Sequence, residues 1–301
     1  PLLTGLVDKS LLVVDQGREA TAGEDGVRFS MLDTIHDFAV ARLDASGETA
    51  AARQAHASYF LALAERAEPA VTGAYGALPL GAFVENLPHI RSALAEPAAT
   101  RPVDCLRLAG SLGWFWAARG RPREGQEWLE RAIAASPVAP IPVRGKAVRV
   151  LGLLAFLQGD AERTETLYTE ALELFRQAGE VARTAEVVSA LAALAVYRNQ
   201  VPRGESLGLE GLALAQSLPD RATGEFIASA ALSNLGMVAH AQGDFALAAA
   251  RFDEAIARFR ALGMTWGTVR SLQLASGIAR ELGEYDRALS LGRESLALAQ
   301  R

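Results

Sequence analysis

Five stretches of this chain share one internal frame, and that repetition constrains the fold more than any other property of the sequence. Leu151-Gly152 is followed by Gly159-Asp160, Tyr168 and Ala171, and Leu235-Gly236 by Gly243-Asp244-Phe245, Ala248, Phe252 and Ala255. Leu112-Gly113 with Gly120, Gly125, Leu129 and Ala132 repeats the frame. So do Leu191-Ala192 with Asn199, Gly204 and Gly211, and Ser276 with Gly283-Glu284-Tyr285, Ala288 and Ser295. With positions 113, 152, 192, 236 and 276 as markers, the steps are 39, 40, 44 and 40 residues. A unit of that length cannot bury an apolar face alone, so neighbouring units must stack.

Each unit reads as two helices. The first ends where Gly120, Gly159, Gly243 or Gly283 supplies a left-handed residue, a conformation that a Cβ disfavours. The second opens near an acidic residue (Glu124, Glu162, Asp244, Glu284), which the positive end of a helix favours. Small residues (Gly152, Thr164, Ala171; Gly236, Ala248, Ala255) let the paired helices approach, and Tyr168, Phe252 and Leu129 fill the seam. Glycine inside a helix costs ~1 kcal/mol relative to alanine, so its recurrence needs close packing as its reason.

With its Leu-Gly, Gly-Asp-aromatic and Ala marks, residues 101–301 resemble five tetratricopeptide repeats, longer than the usual unit. The resemblance implies an all-α fold, a right-handed α-α superhelix. The third unit departs from the pattern: Asn199 stands at the turn, and Gly204 and Gly208 replace the usual alanine and aromatic, so looser packing is expected there.

The chain has 301 residues, 50% hydrophobic and 22% charged, enough for an extended array and too apolar for disorder. Cys105 is the single cysteine, which excludes a disulfide framework and a cysteine-built zinc site and favours a reducing, cytoplasmic setting. No apolar run approaches the ~20 residues that span a bilayer, so no membrane partner is expected. A net charge of −5, from 30 basic and 35 acidic residues, argues against direct nucleic-acid binding by this chain. Pro1 in the place of Met, and Arg301 inside an apolar-periodic stretch, lead us to expect a piece of a longer protein.

Ahead of the repeats, an apolar segment is followed by two strand candidates, Leu11–Val14 and Val27–Met31, around a polar loop from Gln16 to Gly26. Asp33 or Thr34 can cap the next helix, whose apolar face is Ile35, Phe38, Ala39 and Leu43. Helix, hairpin and helix over residues 1–45 resemble the end of a winged-helix domain. Leu-Val-Asp-Lys-Ser-Leu-Leu at 6–12 and Arg-Phe-Ser-Met-Leu-Asp-Thr-Ile-His-Asp-Phe-Ala at 28–39 look like the segment after the nucleotide-binding module in large bacterial LuxR-type and antibiotic-regulator-type signal-transduction ATPases. The likeness continues through Trp114, Trp116, Gly125 and Trp128. In related NB-ARC proteins a Met-His-Asp motif senses the ADP phosphate. Met31, Leu32 and Asp33 align with it, and Leu32 cannot donate that hydrogen bond. No G-x-x-x-x-G-K-[ST] loop occurs, so no cofactor is expected in this chain, and ATP or ADP would bind only in an upstream domain. Residues 46–100 read as a helical connector, with helices near 50–68 and 80–95 separated by Pro69 to Pro79.

Chemistry-bearing residues are sparse. Gly204-Glu205-Ser206-Leu207-Gly208 matches the nucleophile-elbow pattern but lies where a helix is expected instead of a strand and turn. His36, His56, His89 and His240 are scattered without metal-ligand spacing. Cys105 reads as a buried structural thiol, and Trp114, Trp116 and Trp128 as mainly core. Enzymatic activity is therefore not expected.

The functional surface of such an array is its concave face. Projected onto this frame, the groove positions of the tetratricopeptide family are Arg107 and Trp114; Lys146, Arg149 and Phe156; Glu186, Ser189 and Tyr197; Ser233, Met237 and His240; and Arg270, Gln273 and Arg280. Basic residues outnumber acidic ones there, although the whole chain is acidic. Two readings stay open: a groove for a protein, an acidic peptide or an anionic small-molecule effector, or ordinary solvated helix faces. The resemblance implies a sensor arm of an ATP-dependent transcriptional regulator that also docks on its own ATPase domain; the alternative is a protein-interaction scaffold without a switch.

Overall fold

The computed structural model describes residues 2–15, 28–72, 80–95 and 101–300. It opens with α1 (Leu2–Asp8), then β1 (Val13–Asp15) and β2 (Arg28–Ser30), which pair antiparallel with Val13 opposite Ser30 and Asp15 opposite Arg28. The hairpin is present as expected, with shorter strands; its expected loop lies outside the described residues. In α2 (Asp33–Ser46), Leu32 occupies the cap position and makes no side-chain bond, so neither Asp33 nor Thr34 caps the helix. Of the predicted apolar face, Ile35, Ala39 and Leu43 are partly covered while Phe38 is 65% exposed.

The connector consists of α3 (Thr49–Thr72), α4 (Leu80–Glu85) and α5 (Leu87–Ala95). The first of these runs past the expected boundary and includes Pro69, and the second expected helix is broken at Asn86. Ten further helices form the repeats: α6 (Pro102–Ser111), α7 (Gly113–Ala118), α8 (Pro122–Ala135), α9 (Ile141–Leu157), α10 (Ala161–Gln177), α11 (Val181–Tyr197), α12 (Val201–Gln216), α13 (Arg221–Ala241), α14 (Phe245–Ala261) and α15 (Thr265–Glu281). An eleventh, α16 (Tyr285–Ala299), completes the last pair. In unit one, α6 and α7 together form the first helix, interrupted at Leu112. Each second helix packs on its own first helix and on the first helix of the next unit, the contact pattern of an all-α solenoid.

The turn and seam chemistry follows the frame. Gly120, Gly159, Gly243 and Gly283 have φ of +62°, +79°, +82° and +77°. Asn199 takes the same turn at +60°, which its short polar side chain tolerates. Asp160 and Asp244 accept hydrogen bonds from the Arg163 and Leu247 amides at 3.0 and 2.9 Å, and so cap α10 and α14. A Cβ on Gly152 would stand 2.7 Å from the Tyr168 ring, and one on Gly236 2.8 Å from Phe252. The small residues therefore exist to admit these rings. Burying an aromatic such as Phe252 or Phe175 contributes about 1.5–3 kcal/mol.

The third unit is tighter than the sequence suggests. A Cβ would meet Val196 at 2.8 Å from Gly204, Leu235 at 2.7 Å from Gly208 and Ser189 Oγ at 2.5 Å from Gly211. The three glycines bring the α12 backbone against α11 and α13, so close approach replaces ring filling and the packing does not loosen.

On the outside, exposed ion pairs join successive second helices: Glu130 with Arg163, Arg176 with Glu210 at 2.7 Å, and Asp253 with Arg287 at 2.6 Å. Each such pair contributes little, commonly about 0–1 kcal/mol. Among the described residues none joins α12 to α14, at the 44-residue step. No helix among them is long and apolar enough to cross a membrane.

Candidate functional site: the inner face of the solenoid

The projected groove positions divide sharply once partners are assigned. Arg107 is bound bidentately by Glu65 of α3, at 2.9 and 2.8 Å, and also by Asp104. Lys146 donates to Ser111 Oγ at 2.8 Å. Trp114 is partly buried edge-on against Phe83. Arg149 lies 3.8 Å from Glu186, which also faces Arg183 at 3.9 Å; the Arg149 Nε is shielded from solvent without a hydrogen-bond partner. Arg280 pairs with Glu281 at 3.6 Å at the surface.

Several positions do not form an open wall. Ser189, 3% exposed, faces the glycine surface of α12, and Ser233, 3% exposed, accepts from Ser271 Oγ in the seam between α13 and α15 at 3.4 Å. Phe156 and Tyr197 pack edge-on, 6.3 Å apart, at the C-terminal ends of α9 and α11 and stay exposed. His240 is exposed beside Phe245, and Gln273 is exposed.

The expected surplus of positive charge is thus largely cancelled, because Arg107, Arg149 and Arg280 each have a carboxylate within 4 Å. Arg270 is different. Its guanidinium is partly buried, has no carboxylate within 4 Å among the described residues, touches Met237 Sδ at 3.8 Å and lies 5.8 Å over the ring of Trp266. Burial holds its pKa down, and the Tyr168 phenol opposes that shift. Tyr168 is 6% exposed; burial pushes its phenol up to about 12, against the pull of Arg149 and Arg270. Sequence reasoning assigned Tyr168 only to the seam and passed over Trp266, which is 70% exposed. The spacing of Trp266 and Arg270, one helical turn apart, was the available signal.

Elsewhere the chemistry is absorbed by packing. Ser206 lies mid-helix in α12, so the strand-turn-helix geometry of a nucleophile elbow does not form there. Cys105 is 1% exposed, donates to the Leu94 carbonyl at 3.2 Å and is pushed up to about 11 by burial. Trp116 is fully buried. No group of three or more His, Cys, Asp or Glu side chains that could hold a metal ion occurs among the described residues.

Comparison with known proteins agrees with this architecture. The tetratricopeptide repeat family model matches residues 227–301. Two solved structures share the fold at low identity. NprR in complex with its cognate peptide NprX has a TM-score of 0.62 and 14% identity over 74% of this chain and 62% of that one. Rap protein complexed with competence and sporulation factor has a TM-score of 0.61 and 14% identity over 70% of this chain and 59% of that one. The chain is a tetratricopeptide-like solenoid. Among curated proteins, candidate HTH-type transcriptional regulators of Mycobacterium bovis and Mycobacterium tuberculosis are 33% identical to it over 134 residues, 44% of this chain. The matched stretch spans 14% of the length of those relatives.

Proposed function

We propose that this solenoid is the non-catalytic ligand- or protein-binding sensor region of a larger bacterial transcriptional regulator, with recognition on the inner face of its first helices. The observation that carries the reading is the shared fold with NprR, a protein captured with a peptide, taken together with the regulator relatives. A cytoplasmic location, a winged-helix identity for residues 1–45 and an upstream ATPase domain that binds ATP or ADP belong to the same proposal. In it, ligand binding changes how the solenoid docks on that ATPase, biasing a two-state switch, and DNA is contacted by other parts of the protein.

A thermal-shift screen against peptides and metabolites tests the reading, because selective binding to the folded state raises the melting temperature. A hit should lose at least tenfold in affinity on charge reversal at Arg149 and Arg270, and should change reporter transcription in cells carrying the full-length regulator. A screen without hits, or a hit indifferent to both reversals, would count against the inner face. A ligand that binds there without altering transcription would instead favour a scaffold without a switch.

A further inference from the structure

The last helix carries a second apolar stripe. Leu291 and Leu298 of α16 pack against the cluster that holds Leu272, Ala275 and Ile278 of α15, and the buried Ser295 hydroxyl donates to the Val269 carbonyl at 3.3 Å, so one side of the helix is satisfied. Tyr285, Leu289, Gly292, Leu296 and Ala299 run along the adjoining side in alternating steps of four and three residues, the spacing of a seam between two helices. In the earlier units that seam is filled. The frame-equivalents of Leu296 are Ile133, Leu172, Leu212 and Ile256, each 20 residues past its unit marker, and each packs into a cluster that includes the first helix of the next unit. Ile256 is thereby 3% exposed, whereas Leu296 is 58% exposed, with Tyr285 and Leu289 open beside it.

We propose that this stripe is a self-association surface, on which α16 of a second copy of the chain packs antiparallel about a two-fold axis. The contact continues the one that already joins the units: α13 closes on α12 by seating Leu235 where Gly208 leaves room, a Cβ there lying 2.7 Å from the leucine. The stripe of α16 holds both halves of such a lock. A Cβ on Gly292 would meet only Ser276 Oγ, at 3.7 Å, so the partner's Leu289 closes over that glycine while Tyr285 lies against the partner's Leu296. The same register serves charge. Asp286 and Arg293 flank the stripe seven residues apart, and neither has an opposite charge within 4 Å among the described residues. Antiparallel packing sets Asp286 beside the partner's Arg293, and the two-fold axis makes the pair twice. A parallel arrangement would instead face Gly292 with the partner's Gly292 and leave a void. A seam of one 15-residue helix is smaller than the ~1,200–2,000 Å² of a standard interface, so the dimer forms in the micromolar range. The assignment stands independently of the sensor reading.

Analytical ultracentrifugation of the 301-residue chain from about 2 to 200 µM tests the assignment. The chain should pass reversibly from monomer to dimer across that range. Leu289→Glu and Leu296→Glu should each raise the dissociation constant at least tenfold, while circular dichroism shows the dilute chain still folded. Leu209→Glu, at a similarly exposed leucine on α12, should leave association unchanged. Asp286→Arg should weaken the dimer, and adding Arg293→Asp should restore it. A chain that stays monomeric at every concentration, leaving the stripe to some other helix, would overturn the assignment. So would association indifferent to both α16 leucine variants, or a charge swap that restores nothing.

Discussion

The Asn234 side chain donates to the Ser189 carbonyl at 2.7 Å, a buried hydrogen bond that ties the first helix of unit four to that of unit three. It lies at the one step where exposed ion pairs between successive second helices are missing among the described residues. Asn234→Ala should therefore cost about 1–2 kcal/mol of stability, the net value of a buried hydrogen bond plus a small packing loss. Urea unfolding measures it, and hydrogen exchange should show the loss concentrated in α11 and α13. A change below a few tenths would mean that the bond contributes nothing beyond its solvated alternative.

Glycines in the same kind of helix should respond oppositely to alanine. At Gly236 a Cβ would press on the Phe252 ring, and overpacking of this kind costs about 1–3 kcal/mol. At Gly277 nothing lies within 4 Å, so the same change should stabilise by about 0.5–1 kcal/mol through helix propensity. Melting temperatures moving the same way for both variants would contradict the seam geometry.

Acid should weaken the connector through His56. Its ring lies 5.6 Å from that of His89, and burial, then the neighbouring His89, hold its pKa below the usual 6.5. The unfolded chain thus binds more protons as pH falls below that value, so this contribution is present above it and is lost as pH drops through the folded pKa. Replacing His56 with Gln should flatten the decline in melting temperature between about pH 7.5 and 5.5. An unchanged slope would remove His56 from the account.

Cys105 should be inert in the folded chain. With its thiol buried, bonded to the Leu94 carbonyl and raised to about 11, little thiolate exists at neutral pH. Ellman's reagent should label it only as fast as the protein unfolds, so rapid labelling under native conditions would contradict its placement.

The sequence by itself determined what is local and periodic. Left-handed turns at Gly159 and Gly243, the matching of Gly152 to Tyr168 and of Gly236 to Phe252, and the stacking of helix pairs all follow from steric rules that act within one unit. Glycine-for-aromatic replacement in unit three was misread because composition shows that a ring is missing and cannot show that two backbones close the gap.

Charge pairing was decided only by the tertiary structure. Arg107 meets Glu65, 42 residues away, and Arg149 lies 3.8 Å from Glu186, so contacts between helices cancel charges that looked free in the projected groove. Arg270 likewise reaches Met237 Sδ, 33 residues away, at 3.8 Å, a contact that the packing of α15 beside α13 makes and that no single repeat encodes. Electrostatic partners are fixed by distances of a few ångströms between elements far apart in the chain, and those distances exist only once the whole stack has formed.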